Sequence, residues 1–253
     1  MIHNQTIDTQ INHRSIRAFK DQALTTEQLT TLYEAARHTS TSNFFQQFSI
    51  IHLTDPELRR QIRSISTQPY VGANGDLFIF IADLYRNQQI RQQQGNDDGR
   101  LHTYEVFQQA AEDATLAVQN MLVAAESLGL GGVILGSIKN DPVKLINVLG
   151  LPKMTFPMLG LQVGVPDQEP QLKPRLPLSM MTFDNHYSNE FPAKQLADYD
   201  HEVSQYYDLR DTHQRIDSFT NQINGSKLQS GRSKRDELVQ ALHNQGLALD
   251  LNK

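Results

Sequence analysis

Hydrophobic and polar residues alternate between helical and strand-like spacing along the first two thirds of the chain. The first helical stretch places four apolar side chains on one face: Leu29, Leu32, Tyr33 and Ala36. Thr25 and Gln28 stand just before and within this stretch at the spacing of a capping box. The pattern therefore predicts that a helix begins at residue 26.

Strands are predicted over residues 48–53, 77–84, 133–138 and 158–165. The second of them is a continuous apolar run, which indicates a buried strand. Asp55-Pro56 and Asp141-Pro142 each predict an N-cap followed by proline at the first helical position, so helices are expected over 57–65 and 142–149. Helices and strands thus alternate, with short connections between them.

The longest predicted helix covers residues 104–128 and is rich in alanine, which lets neighbouring backbones come close. We expect it to be central and largely buried, and Gly129 to end it. Before it, residues 88–101 are polar and are predicted to form an exposed insertion.

The last third of the chain differs from the rest. Residues 188–235 are polar, contain few apolar anchors and show no strand pattern, and a final helix is predicted over 233–244. A segment with so little apolar surface usually packs on something else. We therefore expect a core domain over residues 1–187 and an arm with a last helix over 188–253, the arm packing on a partner subunit.

Composition narrows the function classes. The chain has 253 residues, a net charge of −5 and no cysteine. Mixed charge with an acidic excess argues against nucleic acid as the main partner, and the absence of cysteine excludes disulfides, thiolate nucleophiles and iron–sulfur clusters. The polar first residues and the short apolar runs predict neither a signal peptide nor a membrane span. A cytoplasmic enzyme is the expectation.

Common catalytic motifs are missing or misplaced. Residues 129–133 contain three glycines, but they follow a helix and precede a strand, which is the reverse of a dinucleotide-binding fingerprint. Neither a P-loop nor a nucleophile elbow occurs in the sequence. The nine histidines show no metal-ligand spacing, so no metal site is predicted.

Three short segments could bind an anionic, flat ligand. The first, residues 13–17, contains His13, Arg14, Ser15 and Arg17. In the second, Lys173 and Arg175 alternate with prolines. The third is Gly131-Gly132-Val133, where two glycines leave room for a ring to lie on the backbone. Arginine suits phosphate and polar ring edges because its donors form a planar fork. Each segment alone also fits a plainer interpretation: a basic turn, a solvated linker and a helix-to-strand turn, respectively.

Taken together and in this order, these stretches resemble the FMN-dependent nitroreductase and NAD(P)H–flavin reductase family. The similar stretches are residues 13–19, 36–42, 124–133 and 167–177. The likeness is to the NADPH-preferring branch that includes the major oxygen-insensitive nitroreductase.

The resemblance implies an α+β fold, with a central and mainly antiparallel sheet flanked by helices, in a homodimer with one FMN per subunit at the interface. It also implies the cofactor-binding residues. They are His13, Arg14, Ser15, Arg17, Ser40, Thr41, Ser42, Gln68, Tyr70, Gly131, Gly132, Val133, Lys173 and Arg175. Arg17 is expected at the pyrimidine edge of the flavin, and Lys173 with Arg175 at the phosphate.

For the reaction, the resemblance implies ping-pong, two-electron hydride transfer from NADPH through the flavin N5 to nitroaromatics, quinones or free flavins, with no catalytic acid or base from the protein. Arg210 and Arg215 are expected to bind the NADPH 2′-phosphate. Further candidates for that role follow downstream: Lys227, Arg232, Lys234 and Arg235. The alternative is a non-reductase enzyme or a non-catalytic flavin-binding protein on the same fold.

Overall fold

The structure is a computed structural model that describes residues 1–206, 218–229, 231 and 233–249. Backbone contacts divide the chain into two compact units, Met1–Gln168 with Ser233–Lys253, and Glu169–Arg232. This division differs from the predicted one at residue 187, and it returns the last helix to the first unit. The predicted division into an FMN-binding core and an arm concerns function and stays a prediction.

One four-stranded sheet forms the centre of the first unit. Its strands are β1 (Phe48–Leu53), β2 (Asp76–Asp83), β3 (Gly131–Leu135) and β4 (Thr155–Gly164). They lie in the order β1-β2-β4-β3, and every neighbouring pair is antiparallel. The predicted α+β fold with an antiparallel sheet is confirmed.

Helices precede, follow and connect these strands. In chain order the described helices are α1 (Gln5–Ile11), α2 (Thr26–Arg37), α3 (Pro56–Ser66), α4 (Tyr85–Gln93), α5 (Tyr104–Ser127), α6 (Pro142–Val148), α7 (Ala193–Gln205), α8 (Phe219–Ile223) and α9 (Leu238–Asn244). The helices α7 and α8 belong to the second unit, and the others to the first. Among the described helices, none combines the length and the apolar character needed to cross a bilayer.

Local side-chain chemistry sets the helix starts as the sequence predicts. Thr25 and Gln28 form both hydrogen bonds of the capping box at α2. Asp55 accepts a hydrogen bond from the Glu57 N–H at the start of α3, and Asp141 accepts one from the Lys144 N–H at the start of α6. Each cap satisfies a backbone donor that the helix itself leaves without a partner.

The sheet is covered on both faces, and β2 shows why its apolar run is continuous. Leu77, Ile79 and Ile81 pack into a cluster with residues of α3 and α6, whereas Phe78 and Phe80 pack into a second cluster with residues of α2 and α5. Successive side chains of a strand point to opposite faces, so a strand buried on both faces needs apolar residues throughout.

Two predicted elements need correction, and several helices were not predicted. The first part of the polar insertion at residues 88–101 is helical, since α4 extends to Gln93. At the other end of the insertion, Leu101 is buried. The segment is rich in Gln and Arg, which have high helix propensity, so it forms a helix without an apolar face. The strand predicted over 133–138 begins earlier, at Gly131, and gives way to a 3-10 turn after Leu135. The helices α1, α7 and α8 were not predicted, since their polar sequences carry little periodic signal.

Candidate cofactor site

The segment at residues 13–17 lies beside β3 and is joined to it through the backbone. The Ile16 N–H donates to the Gly132 carbonyl at 2.9 Å, and Ser15 forms a parallel bridge with Gly132. The side-chain Oε1 of Gln168 accepts from the Arg17 N–H at 2.7 Å and from the following N–H at 2.6 Å. The fold therefore brings two of the three predicted segments, residues 13–17 and 131–133, into direct contact.

Close packing explains the two glycines of β3. A Cβ on Gly131 would lie 2.5 Å from Cγ1 of Ile16, and a Cβ on Gly132 would lie 2.5 Å from Cδ1 of Leu122. Ile16 and Leu122 are both buried, so neither can easily move aside. The glycines thus lie in a strand rather than in the predicted turn, and their expected place with Val133 against a flavin face stays a prediction.

Three basic side chains project from this segment. His13 Nδ1 lies 2.5 Å from Oε1 of Glu126, in the last turn of α5, and both side chains are mostly buried. Arg14 Nη1 donates to the Asn12 carbonyl at 3.0 Å, and Arg17 Nη1 reaches the Ser15 carbonyl at 3.5 Å.

The Nε atoms of Arg14 and Arg17 are buried and have no hydrogen-bond partner among the described residues. A buried charged donor without a partner is costly. Guanidinium groups form their strongest hydrogen bonds with phosphate and carboxylate oxygens. The donors present beside β3 therefore fit an anionic group such as the FMN phosphate.

The predicted hydroxyl segment, Ser40 to Ser42, leads into a loop that is fastened to α5. Asp113 Oδ2 accepts from the Thr41 hydroxyl at 2.5 Å, and its Oδ1 accepts from the Ser42 N–H at 3.0 Å. Asp113 is only 1% exposed. Thr41 and Ser42 are half-buried, which leaves them accessible at the edge of the first unit.

Gln68 and Tyr70, the predicted contacts to the polar edge of the flavin, begin a loop that β4 holds in place. The fully buried side chain of Gln162 donates through Nε2 to the Tyr70 carbonyl at 3.1 Å and to the Asn74 carbonyl at 2.7 Å. Its Oε1 accepts from the Gly72 N–H at 2.9 Å. All three bonds go to backbone groups, and the half-buried side chain of Tyr70 packs against the core cluster that contains Val71 and Leu77.

Two arginines of α3 hold the same loop from the other side. Arg59 donates to the carbonyls of Gly72, Ala73 and Gly75, and Arg63 donates to those of Val71 and Gly72. Burial lowers the pKa of Arg59; the nearby Asp76 opposes this shift, and the positive charge of Arg63 adds to it. Arginine nevertheless stays charged at neutral pH, and here three of its hydrogen bonds go to backbone oxygens.

The remaining predicted residues lie in the second unit or outside the described residues. Lys173 Nζ lies 5.8 Å from the centre of the Tyr206 ring, and Arg175 Nη1 donates to the Lys173 carbonyl at 2.8 Å. Their expected place at the phosphate stays a prediction. Arg210 and Arg215 lie outside the described residues.

Four further basic residues were candidates for binding the NADPH 2′-phosphate, and the structure describes the side-chain contacts of two of them. Lys234 Nζ lies 2.5 Å from Oδ2 of Asp141, and Arg235 reaches Oδ1 of Asn140 at 3.4 Å. Lys234 is therefore already paired with a carboxylate. Arg232 lies outside the described residues, and nothing is described of the Lys227 side chain.

Three polar residues that hold these segments were not singled out from the sequence: Asp113, Glu126 and Gln162. Each lies in a helix or strand, and its partners lie far away along the chain. Glu126 falls in a stretch that carries the family resemblance, but nothing in its spacing indicated a contact with His13. For Asp113 the available signal was a charged residue among the alanines of a helix predicted to be buried.

Comparisons with known proteins place the chain among relatives of similar length and sequence. Residues 11–165 match the model of the nitroreductase family, and residues 173–250 match that of the nitroreductase family, C-terminal domain. An FMN reductase (NADPH) of Bacillus subtilis is 40% identical over 241 residues, which is 93% of this chain and 96% of that protein.

Solved structures show the same similarity. The NfrA1 nitroreductase of B. subtilis is 39% identical with a TM-score of 0.88, over 96% of this chain and 99% of that one. The NADPH:FMN oxidoreductase of Vibrio harveyi, in complex with NAD⁺, is 31% identical with a TM-score of 0.87, over 98% of this chain and 100% of that one. This chain belongs to the nitroreductase family.

Proposed function

We propose that the protein is an FMN-dependent NADPH oxidoreductase of the nitroreductase type. The observation that carries the proposal is the pair of buried Nε donors, on Arg14 and Arg17, that have no partner among the described residues beside β3. The names of the relatives support it, since they include an FMN reductase (NADPH) and an NADPH:FMN oxidoreductase.

When bound, FMN supplies the two-electron chemistry between NADPH and the acceptor. The residues of this chain bind and orient it. Arg14, with His13 and Ser15, binds the phosphate and ribityl chain, and Arg17 places a positive charge at the pyrimidine edge, which favours the reduced and anionic state of the ring. Lys173 and Arg175, as the resemblance implies, also contact an FMN phosphate.

The hydroxyls of Ser40, Thr41 and Ser42 and the side chains of Gln68 and Tyr70 contact the ring, and Gly131, Gly132 and Val133 line one of its faces. Residues 1–187 form the FMN-binding part, and residues 188–253 supply an arm that contacts the partner of a homodimer. Arg210 and Arg215 in this arm bind the 2′-phosphate of NADPH. No residue of the chain acts as a catalytic acid or base.

The reaction follows ping-pong order, in which the oxidised donor leaves before the acceptor binds at the same open face. Nitroaromatics, quinones and free flavins are the acceptor class, and the cytoplasm is the compartment. An open face of this kind selects acceptors weakly, because few directional contacts distinguish one flat aromatic molecule from another.

The first test is the visible spectrum of the purified protein during anaerobic addition of NADPH. A yellow protein that bleaches, and that regains its colour when a quinone or nitroaromatic is added, supports the proposal. A protein that neither binds added FMN nor consumes NADPH contradicts it. A yellow protein that NADPH does not bleach favours the alternative of a non-reductase or non-catalytic flavin-binding protein.

A further inference from the structure

The carboxylate of Asp113, in the middle of α5, accepts hydrogen bonds from both ends of the loop at residues 41–47, which we call the 41–47 loop. Asp113 accepts hydrogen bonds from the Thr41 hydroxyl at 2.5 Å, the Ser42 N–H at 3.0 Å and the Gln47 N–H at 3.0 Å. These three partners are uncharged. A carboxylate only 1% exposed is costly to bury, and three good donors offset that cost.

The backbone of the 41–47 loop is strained between these two ends. Asn43, Phe44 and Gln46 have φ angles of 51°, 62° and 52°. These values lie in the left-handed region, which residues other than glycine seldom adopt. The Thr41 hydroxyl oxygen also accepts from the Gln46 N–H at 2.9 Å. Such a backbone persists only where the surrounding contacts determine it, and Asp113 is the centre of those contacts.

The same loop displays two aromatic side chains. Phe44 is 81% exposed and Phe45 is 53% exposed. Together with Ile90 and Leu101 they line a cavity of about 550 Å³ in the first unit. One end of the loop therefore carries the hydroxyls that are proposed to contact the cofactor, and its tip carries rings beside a cavity.

We propose that Asp113 is a positioning residue, which holds the 41–47 loop in its strained conformation so that Thr41 and Ser42 face the cofactor. The proposal rests on the proposed function, since it assigns to those hydroxyls a cofactor to contact. Asp113 itself acts only through the loop. Its charge is essential to the role, because an ionised carboxylate is purely an acceptor and can serve three donors at once.

Asp113→Asn is the informative substitution, because the amide has the same shape but replaces one acceptor oxygen with a donor NH₂ group. Its NH₂ group would face a backbone N–H or the Thr41 hydroxyl, so at least one of the three bonds is lost. Glu112→Gln is the matched control. Glu112 is the neighbouring exposed carboxylate of α5. Among the described residues its one hydrogen-bond donor is the Gln108 side chain at 3.0 Å, and an amide oxygen preserves that bond.

The chain contains no tryptophan, so a Phe44→Trp variant carries a single fluorescent reporter at the tip of the loop. In this background we would measure tryptophan anisotropy in the apo-protein and the Kd for FMN by titration. D113N should lower the anisotropy and raise the Kd for FMN by about tenfold, the effect of losing one hydrogen bond to a charged group. E112Q should change neither value.

Equal anisotropy in D113N and its parent would overturn the proposal, and so would a lowered anisotropy with an unchanged Kd for FMN. If D113N does not fold, Thr41→Val takes its place, because it removes one donor from a half-buried position; Thr41→Ser is its control. The anisotropy of T41V in the apo-protein must then fall below that of T41S. A parent protein that binds no FMN would refute the proposed function, whereas the apo-protein anisotropy would still report whether Asp113 holds the loop.

Discussion

Two pairs of arginines in the first unit have opposite surroundings. Arg59 and Arg63 of α3 donate five hydrogen bonds to backbone carbonyls of the loop at residues 71–75. Arg14 and Arg17, beside β3, make one bond each to a carbonyl two residues away, and each keeps a buried Nε without a partner among the described residues. Both Nε atoms of the first pair donate to backbone carbonyls, whereas neither Nε atom of the second pair has such a partner in the described part of the chain.

The difference separates structural cations from ligand-binding ones without reference to the family. A guanidinium whose Nε and one Nη donate to carbonyls of its own chain contributes to stability and has fewer donors left for a ligand. One that is held in place while its donors lack partners gains most when an anion arrives. The sequence shows two arginines at short spacing in both places, and the fold shows which of their Nε atoms have partners.

The largest effect that tests this comparison is expected for Arg59→Ala. It removes three hydrogen bonds from a charged donor, so the free energy of unfolding of the apo-protein should fall by about 2–3 kcal/mol. Urea denaturation followed by circular dichroism measures it. Arg60→Ala is the control, because Arg60 is exposed and pairs only with Glu57; its effect should stay within about 0.5 kcal/mol. Equal stability of R59A and R60A would break the comparison.

The next largest effect is expected for Arg17→Ala, and it should appear in a different measurement. The stability of the apo-protein should change little, whereas the flavin potential should become lower and reduction by NADPH should slow by about tenfold or more. Anaerobic stopped-flow absorbance and a redox titration measure both. Arg17→Lys, which keeps the charge and loses the planar fork, should lie in between. An unchanged rate in R17A would remove Arg17 from its proposed role.

The comparison also shows which parts of the molecule can be predicted from the sequence. The caps at Thr25, Asp55 and Asp141 were predicted correctly because each donor and acceptor lies within a few residues. The apolar run of β2 was predicted because burial on both faces leaves a local pattern. These interactions need no knowledge of the rest of the chain.

The contacts that build the site are of the other kind. The side chain of Ile16 leaves no room for a Cβ at Gly131, and that of Leu122 leaves none at Gly132. No local sequence pattern reveals this packing. Glu126 meets His13 across 113 positions of the sequence. The polar stretch of α4 was likewise assigned to an irregular insertion, because composition alone does not distinguish a solvated helix from a loop.

Arg210 extends the comparison to a cation whose surroundings are not described. If it binds the 2′-phosphate, Arg210→Ala should raise the KM for NADPH by about tenfold, the loss of one charge-assisted hydrogen bond, and leave the KM for NADH nearly unchanged. Arg215→Ala tests the second candidate in the same way. Steady-state kinetics with both donors measures the ratio, and equal effects on the two donors would contradict the assignment to the phosphate.

The smallest effect, and the most specific, is expected for Glu126→Gln. Glu126 places a carboxylate beside His13, next to the site proposed for the phosphate, and by charge alone it should repel that phosphate. The arrangement favours binding only if the imidazole lies between the two anions and donates to both. E126Q should therefore raise the Kd for FMN by about fivefold, whereas simple removal of a repulsive charge would lower it.

A double-mutant cycle then distinguishes this role from general loss of packing. In a His13→Gln background, E126Q should no longer weaken FMN binding and should strengthen it slightly, because only the repulsion remains to be removed. Flavin fluorescence titrations of the four proteins give the coupling between the two side chains. Additive effects would mean that Glu126 does not act through His13, and the segment at residues 13–17 would then owe its position to β3 and Gln168 alone.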